Sequence, residues 1–322
     1  MNKNDIIGQN ARMEFLERIA RMYYLFDMTQ KDISTQMGIG RSSVARFIKE
    51  AKDENVVRFL INSNTGNARR VDLESKLVKK YKLIDAIVVK EDIDSLYEST
   101  VVNYLNTTIP FKGTLGLGGG TTLQSVGKFL NVCDARPDLN IIQMIGGLSN
   151  DEREMPSTSV IQEWSQSLKT SPCFLPASAI VETKEMKDMF LKNKNIKDVY
   201  EEIRKIDVSI VGIGNVDEDS VILNYNIIED LSIDYLQNNS VGDINFHYFD
   251  INGDFTLPDI SERVIGASPL NLLRIPIRIG LAYGKEKIEA IEGALNGRLI
   301  NVIATTEETA NLLLNKQREE KK

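Results

Sequence analysis

The chain has 322 residues, 42% of them hydrophobic and 26% charged, which is typical of a globular protein with room for two domains. Its formal charge of −7 excludes a protein that simply coats nucleic acid, because such proteins carry an excess of lysine and arginine. Residues 1–60, however, contain ten Lys and Arg against eight Asp and Glu. The composition therefore permits contact with nucleic acid at the N-terminal end only.

Membrane and metal classes are also excluded by the sequence. No apolar stretch approaches the roughly 18 residues of a membrane span, and the N-terminus lacks the apolar region of a signal peptide, so we expect a cytoplasmic protein. Cys133 and Cys173 have neither CxxC spacing nor histidine companions. We expect them to be buried thiols, with no metal site, disulfide or cofactor.

The N-terminal residues show helical periodicity. An amphipathic helix is predicted over Ala11–Phe26, a second from Thr29, and a third over about Arg41–Asp53. Thr29 is followed three residues later by Asp32, which is a capping pattern, and Gly38 supplies a left-handed turn between the second and third helices. Three short helices with such a turn are typical of a helix-turn-helix.

The third of these helices carries a DNA-binding hypothesis. In a helix-turn-helix this element enters the major groove, and no acid occurs from Gly40 to Lys49. The predicted DNA-binding residues are Gln30, Arg41, Ser42, Ser43 and Arg46. The alternative is a three-helix packing module with solvated charges. Because the basic excess is small, we expect one copy to bind DNA poorly and two or more copies to act together, as a homo-oligomer.

The remainder of the chain alternates short apolar runs with helical periods. Strands are predicted at Val56–Ile61, Asp85–Val89, Thr114–Leu117, Asn140–Ile145, Val208–Ile213, Val264–Gly266, Ile277–Ala282 and Asn301–Ala304, and helices near 71–80, 93–106, 121–131, 184–204, 285–296 and 306–315. This alternation is typical of a mostly parallel, Rossmann-like α/β sheet covered by helices. The predicted domains are an all-α helix-turn-helix domain at 1–61 and an effector domain at 81–322. A polar linker and connecting helix at 62–80 separate them.

A run of glycines follows the strand Thr114–Leu117. Gly118, Gly119 and Gly120 precede Thr121 and Thr122, which open a helix. Glycine lets the backbone approach a ligand, and the helix N-terminus and threonine hydroxyls offer donors, so an anion such as phosphate fits there. The spacing matches neither the dinucleotide nor the Walker motif. The alternative is a glycine-rich turn that serves packing alone.

Other polar residues follow other strands. Gly284 and Lys287 lie where a strand gives way to a helix, and a lysine there opposes the helix dipole, which suggests an anion; a solvated lysine is the alternative. Glycine turns at Gly146–Gly147 and Gly212–Gly214 belong to the same sheet edge, where ligands of open α/β sheets bind. Asp243 could accept hydrogen bonds from sugar hydroxyls, or act as a cap or structural acid.

Several segments occur together in an order and spacing that identify a family. They are Tyr23–Tyr24, Thr29–Ile33, Gly38–Arg46, Gly118–Thr122, Ile142–Gly147, Gly242–Ile244, Phe249–Gly253, Arg263–Gly266, Gly284–Gly297 and Asn301–Ile303. Over nearly the whole chain they resemble the SorC family of bacterial sugar-binding transcriptional regulators.

The resemblance implies a fold similar to sugar-phosphate isomerases and deaminases, adapted to sense a phosphorylated sugar and alter binding to operator DNA. Family members act as dimers or tetramers. The effector residues it implies are Gly118, Gly119, Gly120, Thr121, Thr122, Gln143, Gly146, Gly147, Asp243, Gly284 and Lys287. Among them the two threonines and the preceding glycines would hold phosphate.

Two positions depart from the family pattern. Ile145 replaces a usually polar residue, and His247, the only histidine, stands where arginine is common. The class of effector is therefore predicted, but not the sugar. The main alternative is a sugar-phosphate isomerase or deaminase-like enzyme with an appended DNA-binding module. Such chemistry needs a positioned base, and the sequence offers no catalytic residue that we can assign. A structural or protein-interaction module is the third possibility.

Overall fold

The computed structural model describes residues 3–54, 56–57, 68–90, 95–147, 157–218, 220–224, 228 and 231–316, with the backbone alone for 3–11. The chain divides into two compact units, Met1–Asn64 and Thr65–Lys322. Among the described helices, none is long and apolar enough to cross a membrane.

The described part of the first unit contains three helices: α1 (Lys3–Tyr24), α2 (Gln30–Met37) and α3 (Arg41–Asp53). Its core is formed by Leu16, Ile19, Ala20, Met22, Ile33, Val44, Phe47, Ile48 and Ala51. Helix α2 begins with the expected capping box, since Thr29 Oγ1 accepts from the Asp32 amide and the Asp32 carboxylate accepts from the Thr29 amide, both at 3.2 Å. Gly38 ends this helix at φ 66°, in the left-handed region. Local sequence signals therefore place the turn between α2 and α3.

The strand predicted at Val56–Ile61 does not begin at Val56. Val56 and Val57 form a bend rather than the start of a strand, and Val57 donates its amide to the Ala51 carbonyl at 3.0 Å. This bond returns the chain to α3 and so prevents extended pairing. The rest of the predicted strand, 58–61, and the predicted linker, 62–67, lie outside the described residues.

The second unit is a mixed α/β structure. Its strands are β1 (Asp85–Val89), β2 (Lys112–Leu117), β3 (Asp138–Gln143), β4 (Ser171–Cys173), β5 (Val208–Gly212), β6 (Gly214–Asn215), β7 (Gly242–Ile244), β8 (His247–Phe249), β9 (Ile277–Leu281) and β10 (Val302–Thr306). Its helices are α4 (Val71–Tyr81), α5 (Leu96–Thr108), α6 (Thr121–Gly127), α7 (Thr158–Leu168), α8 (Lys184–Phe190), α9 (Lys194–Ile203), α10 (Val221–Asn224), α11 (Ile233–Asn239), α12 (Pro258–Ser261), α13 (Pro269–Arg274), α14 (Ile288–Asn296) and α15 (Glu307–Asn315).

The large sheet has the order β1-β10-β9-β5-β2-β3-β4 in the described part of the chain, and its neighbouring strands are parallel. Ile141 and Ile210 pack into a core on one face, whereas their chain neighbours Ile142 and Val211 pack into a core on the other. Strands buried on both faces are expected of a parallel sheet covered by helices. The predicted fold class, N-terminal helices followed by a mostly parallel α/β sheet, is confirmed.

A second, small sheet joins β6, β7 and β8 in antiparallel pairing. Asn245 and Phe246 form the two-residue turn between β7 and β8, with φ values of 53° and 62°. Positive φ at both turn residues suits the twist of a hairpin, but a bulky residue such as phenylalanine adopts it at a steric cost. No pattern in the sequence predicted this hairpin.

Two predicted elements are wrong. Val264–Gly266 is not a strand: Val264 bridges to Ile180 and Gly266 to Ile145, so the segment links two loops instead of joining a sheet. The helix predicted at 184–204 is two helices, because Asn193 interrupts it and caps α9 by accepting from the Asn195 amide at 2.9 Å. Val264 and Ile265 are buried as their apolar pattern predicted, and so are Ile196, Val199 and Ile203 of α9, but α8 has no buried residue.

Helix α4, predicted as a connecting helix, packs inside the second unit. Leu73, Leu77 and Tyr81 are buried in the core on one face of the large sheet. The segment before α4 lies along β1, where the Arg70 amide donates to the Val88 carbonyl at 2.8 Å. At the opposite edge, β4 is three residues long with Pro172 at its centre.

Candidate functional site

A cavity of about 330 Å³ lies at the carboxyl ends of the strands of the large sheet. It is lined by Gly119, Gly120, Thr121, Thr122, Ile145, Gly212, Ile213, Gly214, Asn215, Asp217, Ser220, Val221, Asp243, Asn245, Phe246, Tyr248 and Lys287. Ligands of open α/β sheets bind at this edge, and the volume is in the range of small-molecule pockets. Six of the predicted effector residues are in this lining: Gly119, Gly120, Thr121, Thr122, Asp243 and Lys287.

The glycine loop forms one wall of the cavity. Gly120 has φ 121° and is followed directly by α6, which receives no side-chain cap from any described residue. The amides of the first helical turn therefore remain available as donors. Gly118 lies beside the cavity lining, and a Cβ there would come within 2.8 Å of Asn245 Oδ1. The loop is thus held close to the β7–β8 hairpin, and a side chain at Gly118 would push the two apart.

Asp243 comes from the small sheet. It pairs with Gly214, and a Cβ on that glycine would collide with the Asp243 carboxylate. Burial raises the pKa of Asp243 to about 6, although the amide of Phe246, donating to Oδ2 at 2.8 Å, and the charge of Lys287 both oppose the rise. The carboxylate and the lysine therefore interact electrostatically at the cavity wall.

Lys287 is carried by a turn between β9 and α14. Its amide donates to the Gly284 carbonyl at 3.2 Å, and Gly284 adopts φ 114°. The Gly284 amide donates in turn to Thr309 Oγ1 of α15 at 3.0 Å. Gly284 therefore shapes the turn, whereas Lys287 lines the cavity.

The strand order places these groups along the sheet edge. Lys287 follows β9, Gly212 ends β5, Gly119–Thr122 follow β2, and Ile145 follows β3. Neighbouring strands are about 4.8 Å apart, so the four loops span roughly 14 Å.

An apolar part of the lining adjoins these polar groups. Ile145, Phe246 and Tyr248 belong to one hydrophobic cluster, and Ile145 is 1% exposed. Burial, and secondarily the charge of Asp243, raise the pKa of the Tyr248 phenol well above its usual value, so it is a neutral hydroxyl. Ile145, where the family pattern usually has a polar residue, therefore lies on the cavity wall.

The remaining predicted effector residues lie outside the lining. Buried Gln143 donates to Ser157 Oγ at 3.4 Å and accepts from the Leu175 amide at 3.0 Å, which ties two loops together. Gly146 packs against the 177–179 backbone, where a Cβ would come within 2.5 Å of the Ala177 carbonyl oxygen. Gly147 exchanges backbone hydrogen bonds with the same segment. These residues shape the loops next to Ile145.

The lining also includes polar residues that the sequence analysis missed, notably Asn215, Ser220 and Asn245. Asn245 and Phe246 occupy a hairpin turn whose usual sequence signal is Asn-Gly or Asp-Gly. Asn-Phe carries only half of that signal, which explains why the hairpin was not found. Asn215 follows a glycine turn that was noted, but nothing local marks its side chain as part of the cavity.

His247 points away from this lining. Its ring bonds to the Ala267 carbonyl through Nε2 at 3.0 Å and to Ser261 Oγ through Nδ1 at 2.6 Å. Burial lowers the pKa of His247 to about 4, so the ring is neutral, and Nε2–H donates to the carbonyl. Nδ1 then accepts from the serine hydroxyl. The only histidine of the chain is thus a structural residue beside the hairpin.

In the first unit, α3 buries Val44, Phe47 and Ile48 and leaves its other face open. Arg41, Ser42 and Arg46 are exposed, and Gln30 and Ser43 are partly exposed. The Arg46 guanidinium lies 5.1 Å from the centroid of the Phe47 ring. The five predicted DNA-binding side chains are therefore accessible at the start of α2 and along α3.

Comparison with known proteins extends this description. Residues 67–315 match the family model described as "Putative sugar-binding domain". The chain is similar to the deoxyribonucleoside regulator of Bacillus subtilis (strain 168), with 26% identity over 303 residues that cover 92% of this chain and 96% of the relative. It is also similar to the sorbitol operon regulator of Klebsiella pneumoniae, with 26% identity over 312 residues that cover 94% of this chain and 98% of the relative.

Solved structures give the same result. The full-length sorbitol operon regulator SorC from Klebsiella pneumoniae superimposes with a TM-score of 0.69 and 25% identity, covering 94% of this chain and 98% of that one. A DeoR family transcriptional regulator from Listeria monocytogenes gives a TM-score of 0.67 and 34% identity, covering 76% of this chain and 98% of that one. The similarity therefore reaches well beyond the cavity.

Proposed function

The chain belongs to the family of sugar-binding transcriptional regulators typified by SorC, and from this premise we propose that it is a cytoplasmic DNA-binding regulator whose operator binding is controlled by a phosphorylated sugar. The observation that carries the proposal is the cavity in which Gly119–Thr122 and Lys287 meet Asp243 and Asn245. Its relatives bear the names of regulators rather than enzymes, which supports the same class.

The cavity supports a phosphate and a sugar at different groups. The uncapped amides of α6, the hydroxyls of Thr121 and Thr122, and the ammonium of Lys287 are donors suited to a phosphate. Asp243 and Asn245 can bond hydroxyl groups, and the neutral Tyr248 can do the same. The effector therefore pairs an anionic end with a hydroxylated body.

The first unit supplies the DNA contact in this proposal. Arg41 and Arg46 bind phosphates or guanine, and Gln30, Ser42 and Ser43 contact the backbone or base edges. One copy carries few positive charges, so two or four copies act together as a homodimer or homotetramer on operator DNA.

A thermal-shift panel tests the effector class. The panel contains 2-deoxyribose 5-phosphate and sorbitol 6-phosphate, which are phosphorylated forms of the sugar units in the relatives' names. Ribose 5-phosphate and glucose 6-phosphate are included as well, and each compound is measured next to its unphosphorylated form. We expect stabilisation by at least one phosphorylated member and none by the free sugars, because binding to the folded state alone raises the unfolding temperature. Equal shifts with both forms would contradict the phosphate assignment.

Variants of the threonine pair test the site. Thr121→Glu with Thr122→Glu should abolish the ligand shift, because carboxylates repel the anion, and should leave binding to DNA upstream of the gene or neighbouring operon intact. Thr107→Glu, on the exposed face of α5, introduces the same type of charge as a control. A ligand shift that survives in the double variant would remove this loop from the effector site.

One observation keeps the enzyme alternative testable. A carboxyl group with a pKa of about 6, as at Asp243, is suited to proton transfer near neutral pH. We expect no conversion when the purified protein is incubated with the four phosphorylated sugars. Turnover that disappears in Asp243→Asn would favour an isomerase or deaminase-like enzyme instead.

A further inference from the structure

The segment Ala68–Arg70, which follows the first unit in the chain, is attached to the edge strand of the large sheet. The Lys90 amide donates to the Ala68 carbonyl at 3.0 Å, the Arg70 amide donates to the Val88 carbonyl at 2.8 Å, and Arg69 forms an antiparallel bridge with Val89. These bonds lie at the carboxyl end of β1, on the same edge of the sheet as the cavity. The segment is the first described part of the second unit after the first unit.

The two arginines of this segment have different partners. Arg69 forms an ion pair with Glu74 at 2.7 Å, and Glu74 Oε1 also accepts from the Val88 amide at 2.9 Å, so this pair fixes the start of α4 locally. Arg70 pairs with Asp72 at 3.0 Å, also locally, but it forms a second ion pair with Glu307 of α15. Arg70 thus links the segment to α15.

The first turn of α15 contacts the Lys287 turn as well. Thr309 Oγ1 accepts from the Gly284 amide at 3.0 Å, and Glu308 pairs with Lys285 at 2.5 Å. Lys287 is joined to the same turn through its bond to the Gly284 carbonyl. One helical turn therefore contacts Arg70 through Glu307 and the Lys287 turn through Glu308 and Thr309.

We propose that Arg70 and Glu307 are positioning residues that connect the Lys287 turn to the segment leading into the DNA-reading unit. The inference rests on the proposed function. An anion that binds Lys287 shifts the 284–287 turn against α15, and the ion pair conveys the shift to Arg70 and the β1 edge. The pair is 31% and 29% exposed, and such pairs contribute little to folding, so coupling can be separated from stability.

The experiment compares two substitutions that each remove one acidic partner of Arg70. Glu307→Gln breaks the link to α15, whereas Asp72→Asn removes only the local partner. Operator affinity is measured with and without saturating amounts of whichever of the four phosphorylated sugars stabilises the wild-type chain most. We expect a wild-type change of about 5- to 150-fold, which is typical of allosteric coupling. In Glu307→Gln the sugar-induced change in operator affinity should be at least fivefold smaller than in the wild type. In Asp72→Asn this change should stay within twofold of the wild-type value.

Two further measurements distinguish coupling from damage. The ligand-induced shift in unfolding temperature without DNA should persist in both variants, and Glu307→Asp, which keeps the carboxylate, should retain most of the operator response. If Glu307→Gln kept the full operator response to the sugar, or if Asp72→Asn lost as much of that response, this inference would be overturned while the proposed function would stand. A wild-type chain that binds neither the sugars nor the operator overturns the proposed function, and the inference falls with it.

Discussion

Two buried titratable side chains of the β7–β8 hairpin respond to acid in opposite ways. Burial lowers the pKa of His247 to about 4 and raises that of Asp243 to about 6. The histidine favours folding above its unfolded pKa near 6.5, and this contribution is lost as the pH falls through 4. The aspartate favours folding below its unfolded pKa of 3.8, and this contribution is lost as the pH rises through 6. The two effects therefore nearly cancel between pH 6.5 and 4.

Single substitutions should separate the opposite effects of Asp243 and His247 on the pH dependence of stability. From pH 6.5 to 4, we expect the free energy of unfolding of Asp243→Asn to fall by about 3 kcal/mol relative to the wild type, because only the histidine still titrates. That of His247→Asn should rise by a similar amount. Urea unfolding at half-unit pH steps measures both, and parallel curves for all three proteins would contradict the assigned shifts.

At the scale of elements, the C-terminus of α5 depends on one buried arginine. Arg136 is fully buried and donates to the carbonyls of Asn106 at 2.6 Å, Ile109 at 3.2 Å and Asp134 at 2.5 Å. Its guanidinium also lies 4.7 Å from the Phe111 ring centroid. The arginine therefore satisfies carbonyls that the end of a helix leaves without partners.

Removing this cap should destabilise the second unit. Arg136→Met leaves three carbonyl groups without their donor, and at about 1 kcal/mol each the free energy of unfolding should fall by about 3 kcal/mol. Arg204→Met removes an exposed arginine and should change the free energy of unfolding by less than about 0.5 kcal/mol. Denaturant unfolding of both variants checks the difference; equal values would mean that water replaces the guanidinium.

Elements with strong local patterns were predictable and the cavity only partly so. The strand Asp85–Val89 has the predicted bounds, because its apolar run is buried on both faces. The glycine loop and Lys287 could be assigned to the site because they directly follow strands. Asn245 and Tyr248 line the cavity because they belong to a hairpin of the small sheet. This sheet depends on long-range pairing with Gly214, which no local sequence pattern predicts.

For the whole molecule, division into two units means that DNA contact can be weakened without loss of ligand binding. Arg46→Gln should lower operator affinity by about 1–3 kcal/mol if the arginine reads guanine, or reduce the salt dependence of binding if it contacts phosphate. Lys76→Gln makes the same charge change in the second unit and should alter neither. Fluorescence anisotropy at several salt concentrations separates the cases. Unchanged affinity and salt slope in Arg46→Gln would exclude this residue from the interface.

The edges of the large sheet also bear on how copies of the chain can associate. Ala68–Arg70 occupies the free side of β1 at its carboxyl end, and β4 is three residues long with a central proline that cannot donate a hydrogen bond. A strand of another molecule would find few unpaired backbone groups at either edge of the described sheet. Self-association through a continuous intermolecular sheet is therefore disfavoured. In the proposed dimer or tetramer, contacts between copies would then be made by helices and loops rather than by these sheet edges.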